Sequence, residues 1–179
     1  MTAGEQTDLA LRVTGLIRDV ADYPVPGVVF KDIAPLLADG EAFAAVVGAL
    51  AQRYEGRVDA VVGIEARGFV VAAPLAVTLR LGFVPVRKAG KLPGVVHTES
   101  YDLEYGSAQI QVQQGAFAPG ARVVVLDDVL ATGGTAAAAC TLVERAGAEV
   151  VEVAVLMELA FLGGRERLPG RVVHSIVTV

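Results

Sequence analysis

Two adjacent carboxylates, Asp127 and Asp128, stand directly after the apolar run Val123 to Leu126. After Val129 and Leu130 comes a segment of small and hydroxyl residues, Ala131-Thr132-Gly133-Gly134-Thr135, and then the alanine-rich stretch Ala136 to Cys140. The apolar run reads as a strand buried on both faces, closed by the two acids, and the alanine-rich stretch as a helix. A strand, a Gly-Thr loop and a helix start make an anion site. The first amides of a helix have no partner within it, and its dipole is positive there. The glycines let backbone approach a ligand without a Cβ in the way. Acids beside such a loop repel an anion, so they make sense if the ligand carries hydroxyls or a metal ion beside its phosphate. A ribose 5-phosphate has these features. The chain has no G-x-x-x-x-G-K-[ST] loop and no G-x-G-x-x-G at this junction. The bland alternative is a tight turn in which Asp128 or Thr135 merely caps a helix.

Two further loops follow predicted strands, and in an open parallel sheet ligands bind beyond the carboxyl ends of strands. Glu65-Ala66-Arg67-Gly68 follows Asp59 to Ile64. Arg87-Lys88-Ala89-Gly90-Lys91-Leu92-Pro93-Gly94 follows Phe83 to Val86. The first offers amides and a guanidinium, and the second three cations, Arg87, Lys88 and Lys91. With the Asp127–Thr135 loop they suit a substrate with one 5′-phosphate, two hydroxyls and a pyrophosphate. The bland reading of the cations is a solvated loop.

The elements that must position these loops can be read in order. Residues Met1 to Gln6 are a loose polar start, and Thr7 caps a helix to about Val20, with Leu9, Val13, Leu16, Ile17 and Val20 on one face. Tyr23-Pro24-Val25-Pro26-Gly27 stops it. Val28 to Ile33 is either a core strand, which its pattern favours, or a stretch laid against a ligand. Asp39 or Glu41 opens a second helix with the stripe Phe43, Val46, Val47, Leu50 and Tyr54. Phe69 to Arg80 is a helix with Pro74 well inside it, so a kink or a late start is expected, and Gly82 is its C-terminal cap. The irregular region beginning at Arg87 runs to about Tyr101, longer than ordinary connections. Ala108, Ile110 and Val112 alternate with Gln109, Gln111 and Gln113, a half-exposed strand, and Lys88 to Gln113 reads as an antiparallel flap. A helix from Thr135 to Ala146, a strand from Glu149 to Met157, a loop from Glu158 to Arg165 and a last strand from Arg171 to Val179 complete the chain.

Composition narrows the class. A chain of 179 residues with 54% hydrophobic residues suits one domain of α/β layers around a buried parallel sheet. A net charge of −5 argues against general nucleic-acid binding, which needs a basic face. The one cysteine, Cys140, cannot form an internal disulfide, so a cytoplasmic location is expected, and its helix position suggests packing. No signal-peptide pattern opens the sequence, and its longest apolar run, Phe69 to Val77, is far short of the roughly 20 residues that span a bilayer. His97 and His174 have no metal-ligating partner nearby in sequence.

The stretch Asp127 to Thr135 resembles the 5-phosphoribosyl-1-pyrophosphate motif of the type I phosphoribosyltransferases. Within that family Tyr23 to Ile33 resembles the purine-binding segment of the adenine phosphoribosyltransferases, Gly63 to Phe69 their pyrophosphate loop, and Arg87 to Gly94 with Ser100 to Gly106 their flexible loop. The blocks keep the family's order from about residue 8 to the C-terminus. Lys31 stands where Arg is often found and Glu65 where some members have Asp. The resemblance implies a single α/β domain over residues 1–179. Its mostly parallel central sheet would be flanked by helices, with a hood over about residues 1–35 and a flap over about 88–113. It implies that Asp127 and Asp128 take the ribose hydroxyls while Ala131, Thr132, Gly133, Gly134 and Thr135 hold the 5′-phosphate. Glu65, Ala66, Arg67, Gly68, Arg87, Lys88 and Lys91 would hold the diphosphate. Val29 and Lys31 would read the adenine edge with backbone groups, Phe30 and Leu159 would sandwich the ring, and Arg67 would reach the base or the diphosphate. Glu104, with Tyr105 beside it on the flap, would be the general acid/base. The implied reaction joins adenine and phosphoribosyl diphosphate to give AMP and diphosphate, with Mg²⁺ held mainly by substrate rather than by direct protein ligands. A homodimer is implied, without nucleic-acid or membrane partners.

Two rivals share these features. One is the same chemistry on hypoxanthine, guanine or xanthine, against which Val29-Phe30-Lys31 speaks. The other is a regulator that only senses the pyrophosphate compound, which would need an added basic DNA-binding element.

Overall fold

The computed structural model describes residues 2–102 and 107–179. The first helix, α1 (Ala3–Gly15), is capped not by Thr7 but by Thr2, five residues earlier. Thr2 caps it by accepting the Glu5 amide, while the Glu5 carboxylate accepts the Thr2 amide at 2.7 Å. This reciprocal capping box fixes the start. The helix also stops before Val20. Residues beyond it form β1 (Arg18–Ala21), which pairs antiparallel with β2 (Val29–Asp32). The expected core strand at Val28–Ile33 is therefore one arm of a half-exposed hairpin outside the main sheet. Arg18–Asp32 and Lys31–Asp19 ion pairs lie along its rungs, the second at 2.7 Å.

A short α2 (Ala34–Ala38) and α3 (Gly40–Tyr54) follow. Asp39 caps α3 through the Ala42 amide, and Val46, Val47, Leu50 and Tyr54 are buried as the stripe predicts. The chain then alternates β3 (Ala60–Ile64), α4 (Arg67–Leu79), β4 (Gly82–Lys88), the hairpin β5 (Val96–Asp102) and β6 (Ser107–Gln113), β7 (Arg122–Leu130), α5 (Gly134–Arg145), β8 (Glu149–Glu158), two 3₁₀ turns (Ala160–Leu162 and Gly164–Arg167) and β9 (Val173–Thr178). Pro74 sits inside α4, which neither starts late nor ends on Gly82. Arg80 itself takes the left-handed cap at φ 57°, and Gly82 opens β4. The irregular stretch after β4 is shorter than expected, since strand resumes at Val96.

The described residues form a seven-stranded sheet in the order β5-β6-β4-β3-β7-β8-β9. The five strands β4 to β9 in that order run parallel, and the β5–β6 hairpin joins antiparallel through Arg87 and Lys88 on β4. Side chains alternate between the two faces along each strand, and the central strands are buried on both, which builds a core on either face. Val62, Val123, Val125 and Val153 pack under α5 and the hairpin. Val61, Val124, Leu126 and Leu156 pack under α1, α3 and α4. Cys140 belongs to the first core, and burial pushes its thiol up to about 11, which fits packing rather than reactivity. At the far end of the sheet Glu152 is buried and bound in a fork by Arg53 of α3 at 3.0 and 2.5 Å.

Candidate active site

The sheet order reverses at β3: the chain passes from β3 to β4 on one side and later places β7 on the other. That is a topological switch point, where the loops at the strand ends part and leave a crevice. The loops after β3 and β7 meet there. Their approach is close because Gly68, in the first turn of α4, has no side chain. A Cβ on it would stand 2.7 Å from the Leu126 carbonyl oxygen and 3.1 Å from the Asp127 Oδ1. Only hydrogen fits.

β7 does not close at the two acids but runs through them to Leu130. The two carboxylates stay neighbours, and Asp127 Oδ1 accepts the Asp128 amide at 2.9 Å. Asp127 continues the row of Val123 and Val125 and lines a concavity of about 70 Å³ with Ala131, Thr132, Gly133, Gly134 and Thr135. Asp128 continues the row of Leu126, is buried, and meets Arg67 of α4, whose Nε lies 2.8 Å from Oδ2. The guanidinium N–H is not aimed along that line, so the contact is ionic and Oδ2 accepts no hydrogen bond. Burial, and then the neighbouring Asp128 charge, hold the Asp127 pKa well above the usual carboxylate range, with Arg67 partly opposing.

Gly133, at φ 82°, is the N-cap of α5, and no side chain caps that helix. The cap readings for Asp128 and Thr135 therefore fail: the first amides of α5 face the concavity instead. An uncapped helix of this length, opening on a pocket ringed by two threonines and two glycines, offers free amides and hydroxyls of the kind an anion takes.

The cationic loop is organised by Glu65. Its carboxylate accepts Arg87 Nε and Nη2 at 3.3 and 3.1 Å, the Lys88 amide at 2.9 Å and Lys91 Nζ at 3.1 Å. The Arg87 hydrogen bonds, with the Lys88 amide and Lys91, draw the Glu65 carboxyl down to about 2. Glu65 thus holds two of the three cations beside Ala66 and Gly68, and the Lys88 side chain stays exposed. The Glu65–Ala66 peptide is cis.

The β1–β2 hairpin and its connecting loop reach the same place. Arg67 lies over the Phe30 ring with Cζ 5.1 Å from its centre, and Tyr23 packs edge-on against that ring at 5.2 Å. Tyr23 was not among the expected site residues, although its place before Pro24 gave a signal. Lys31 turns its side chain to Asp19, and Lys31 and Val29 both lie on β2 beside Phe30. Leu159 follows β8 at the same sheet end, its amide donating to the Leu130 carbonyl at 2.9 Å. Glu104 and Tyr105 lie outside the described residues. A larger cavity of about 310 Å³ sits between α1, α3 and β9 beside Arg53 and shares no lining residue with the phosphate loop.

Comparison with known proteins agrees with this geometry. A family model described as a phosphoribosyl transferase domain matches residues 35–170. An adenine phosphoribosyltransferase of Roseiflexus castenholzii is 61% identical over 161 residues, covering 89% of this chain and 94% of that one. The crystal structure of the adenine phosphoribosyltransferase from Rhodothermus marinus has 47% identity and a TM-score of 0.91, covering 97% of this chain and 99% of that one. The Saccharomyces cerevisiae adenine phosphoribosyltransferase, solved with an imino-altritol bisphosphate and adenine, has 37% identity and a TM-score of 0.91, covering 95% of this chain and 99% of that one. The chain belongs to the phosphoribosyltransferase family, among the adenine phosphoribosyltransferases.

Proposed function

We propose that the chain transfers the 5-phosphoribosyl group from 5-phospho-α-D-ribose 1-diphosphate to N9 of adenine, giving AMP and diphosphate. The observation that carries this reading is the uncapped start of α5 opening on the concavity that Asp127 lines. A phosphate on the Thr132–Thr135 amides would place the ribose hydroxyls toward Asp127 and Asp128. The acceptor Oδ2 of Asp128, buried without a hydrogen bond, suits such a donor.

The remaining parts follow from where the side chains stand. Arg67 bridges the ribose side and the Phe30 platform. Arg87 and Lys91, poised on Glu65, face the leaving diphosphate with Lys88. Phe30 and Leu159 flank the base, and the Val29 and Lys31 backbone reads its edge. Adenine presents an acceptor at N1 and a donor at its amino group; a 6-oxo purine reverses this and would leave polar groups unpaired. N9 forms its bond to C1′ as the bond from C1′ to the diphosphate oxygen breaks, and the Glu104 carboxylate takes up the ring proton that the base gives up at N7. Asp127 and Asp128 are oxygen donors of the kind a hard cation takes, so Mg²⁺ arriving with the substrate fits. It would neutralise diphosphate charge, held mainly by substrate oxygens. We further assign a cytoplasmic homodimer organised as one domain, with residues 1–35 as hood and 88–113 as flap. The exposed Val70 and Val77 of α4 support a covered face, and no helix among the described residues is long and apolar enough to cross a membrane.

The test supplies adenine, hypoxanthine and guanine separately with phosphoribosyl diphosphate and Mg²⁺ and measures nucleotide formed. Turnover with adenine alone is expected. Turnover with a 6-oxo purine would sink the base-reading account, and tight binding without turnover would favour a sensor. Glu104→Ala is expected to lower kcat far more than it weakens phosphoribosyl diphosphate binding; equal kcat would remove Glu104 from the mechanism.

A further inference from the structure

The segment after β8 bears on the phosphate loop from behind. Glu158 ends β8 and is only 5% exposed. Its carboxylate accepts both Arg165 Nε at 2.6 Å and Nη2 at 2.7 Å. Arg165 Nη1 also donates to the Val173 carbonyl at 3.0 Å, and the Ser175 hydroxyl donates to Glu158 at 3.2 Å. One fork therefore ties the end of β8, the second 3₁₀ turn and β9 together. Charge-assisted forks of this kind are stronger than neutral hydrogen bonds and fix geometry as well.

The turn so fixed touches the phosphate loop backbone to backbone. A Cβ on Gly164 would stand 2.3 Å from the Ala131 carbonyl oxygen, and a Cβ on Gly133 would stand 2.2 Å from the Gly164 carbonyl oxygen. Neither loop can move toward the other without displacing it. Leu159 lies on the same segment and holds Leu130 through its amide.

We propose that the Glu158–Arg165 ion pair is a positioning strut for the 5′-phosphate loop. It keeps Gly164 at the depth at which Ala131 to Gly133 hold their phosphate-receiving shape. Because Leu159 directly follows Glu158, the strut also sets how far the base platform stands from the phosphate. Neither Glu158 nor Arg165 touches the ligand; both act through the turn. The inference rests on the ribose 5-phosphate reading of Asp127 to Thr135.

The test uses two variants. Glu158→Gln with Arg165→Met removes the strut without leaving a lone buried charge, and Gly164→Ala presses directly on Ala131. Calorimetry with ribose 5-phosphate is expected to show affinity falling by about tenfold or more in each, since small misplacements of a binding loop are costly. Binding of free diphosphate, assigned to the other loops, should stay within about twofold of wild type by the same argument, and Arg165→Lys should fall between. A purely structural pair would lower the thermal midpoint and leave both affinities intact in the folded protein, and that result overturns the strut. Should the variants not fold, hydrogen exchange on the wild type decides. Ribose 5-phosphate must slow amides 163–167 together with 131–135, and protection confined to 131–135 overturns the proposal. A wild type that binds no ribose 5-phosphate overturns the site reading itself, and the strut with it.

Discussion

Arg67 lies across the face of Phe30, its guanidinium carbon 5.1 Å from the ring centre. The same guanidinium meets Asp128 at 2.8 Å. One side chain at the start of α4 thereby joins the hood hairpin to the central strand, and the proposed base platform to the proposed ribose acceptor.

Replacing it tests that link. A cation over an aromatic ring contributes about 0.5–2 kcal/mol. Arg67→Gln is therefore expected to raise KM for adenine between about twofold and thirtyfold, the factors those energies correspond to. Steady-state kinetics with adenine varied at saturating phosphoribosyl diphosphate checks it; an unchanged KM would separate Arg67 from the base.

Asp127 offers a trade between folding and binding. Its folded pKa is raised by burial and by Asp128, so between the unfolded and folded values the native state binds more protons at this group than the unfolded chain does. Stability from this group falls as pH rises from the unfolded carboxyl range through the folded value, and at pH 7 the ionised form is a cost. Asp127→Asn keeps an acceptor for the Asp128 amide and removes that charge. The expected result at pH 7 is a thermal midpoint higher by about 2–4 °C, the shift about 1 kcal/mol produces at this chain length. Ribose 5-phosphate affinity should fall at the same time. A lower midpoint would contradict the argument.

Glu65 works in the opposite sense. Its folded pKa, about 2, lies below the ordinary value of 4.5 because Arg87, the Lys88 amide and Lys91 favour the carboxylate. The stability it gives is present in full above about 4.5 and is lost as pH falls through about 2. Comparing thermal midpoints of wild type and Glu65→Gln should show a constant gap from pH 7 to 5 that closes below that. A gap that persists unchanged into strong acid would mean the glutamate acts through packing instead.

Gly68 should tolerate nothing larger. Alanine there would place its methyl against the Leu126 carbonyl oxygen at 2.7 Å. Overpacking of this kind costs about 1–3 kcal/mol, and here it would push α4 and Arg67 off β7. Gly68→Ala is expected to lower stability by that amount in denaturant titration and to weaken phosphoribosyl diphosphate binding. A fully stable variant would show that the helix start has slack.

What the sequence revealed follows the physics of each part. The strand–loop–helix units were legible because a doubly buried strand is a run of Val and Ile, and because an anion loop needs Gly and Thr at the turn. The α3 stripe was legible from its helical period. The hood hairpin was not: its strands are four residues each, half-exposed, and without alternation. The true start of α1 was written as Thr2 and Glu5, a capping-box spacing that the polar composition around it obscured. β7 looked finished at Asp127, since a carboxylate in a strand is plausible only when a distant partner, here Arg67, is known. The Gly133–Gly164 contact could not be read either, because close approach between remote backbones leaves no local pattern beyond the glycines themselves.

The order of the sheet has a consequence for synthesis. β7 pairs β3 with β8, yet the ribosome delivers it after β4, β5 and β6. Until then Val61 and Val62, fully buried in the finished protein, sit on an open strand edge that another chain can extend. The nine residues of β7 close that edge and carry Asp127 and Asp128 with them. A nascent chain thus covers its β3 edge in the same step that gives it the two site carboxylates, and the open edge passes to β7 until β8 follows.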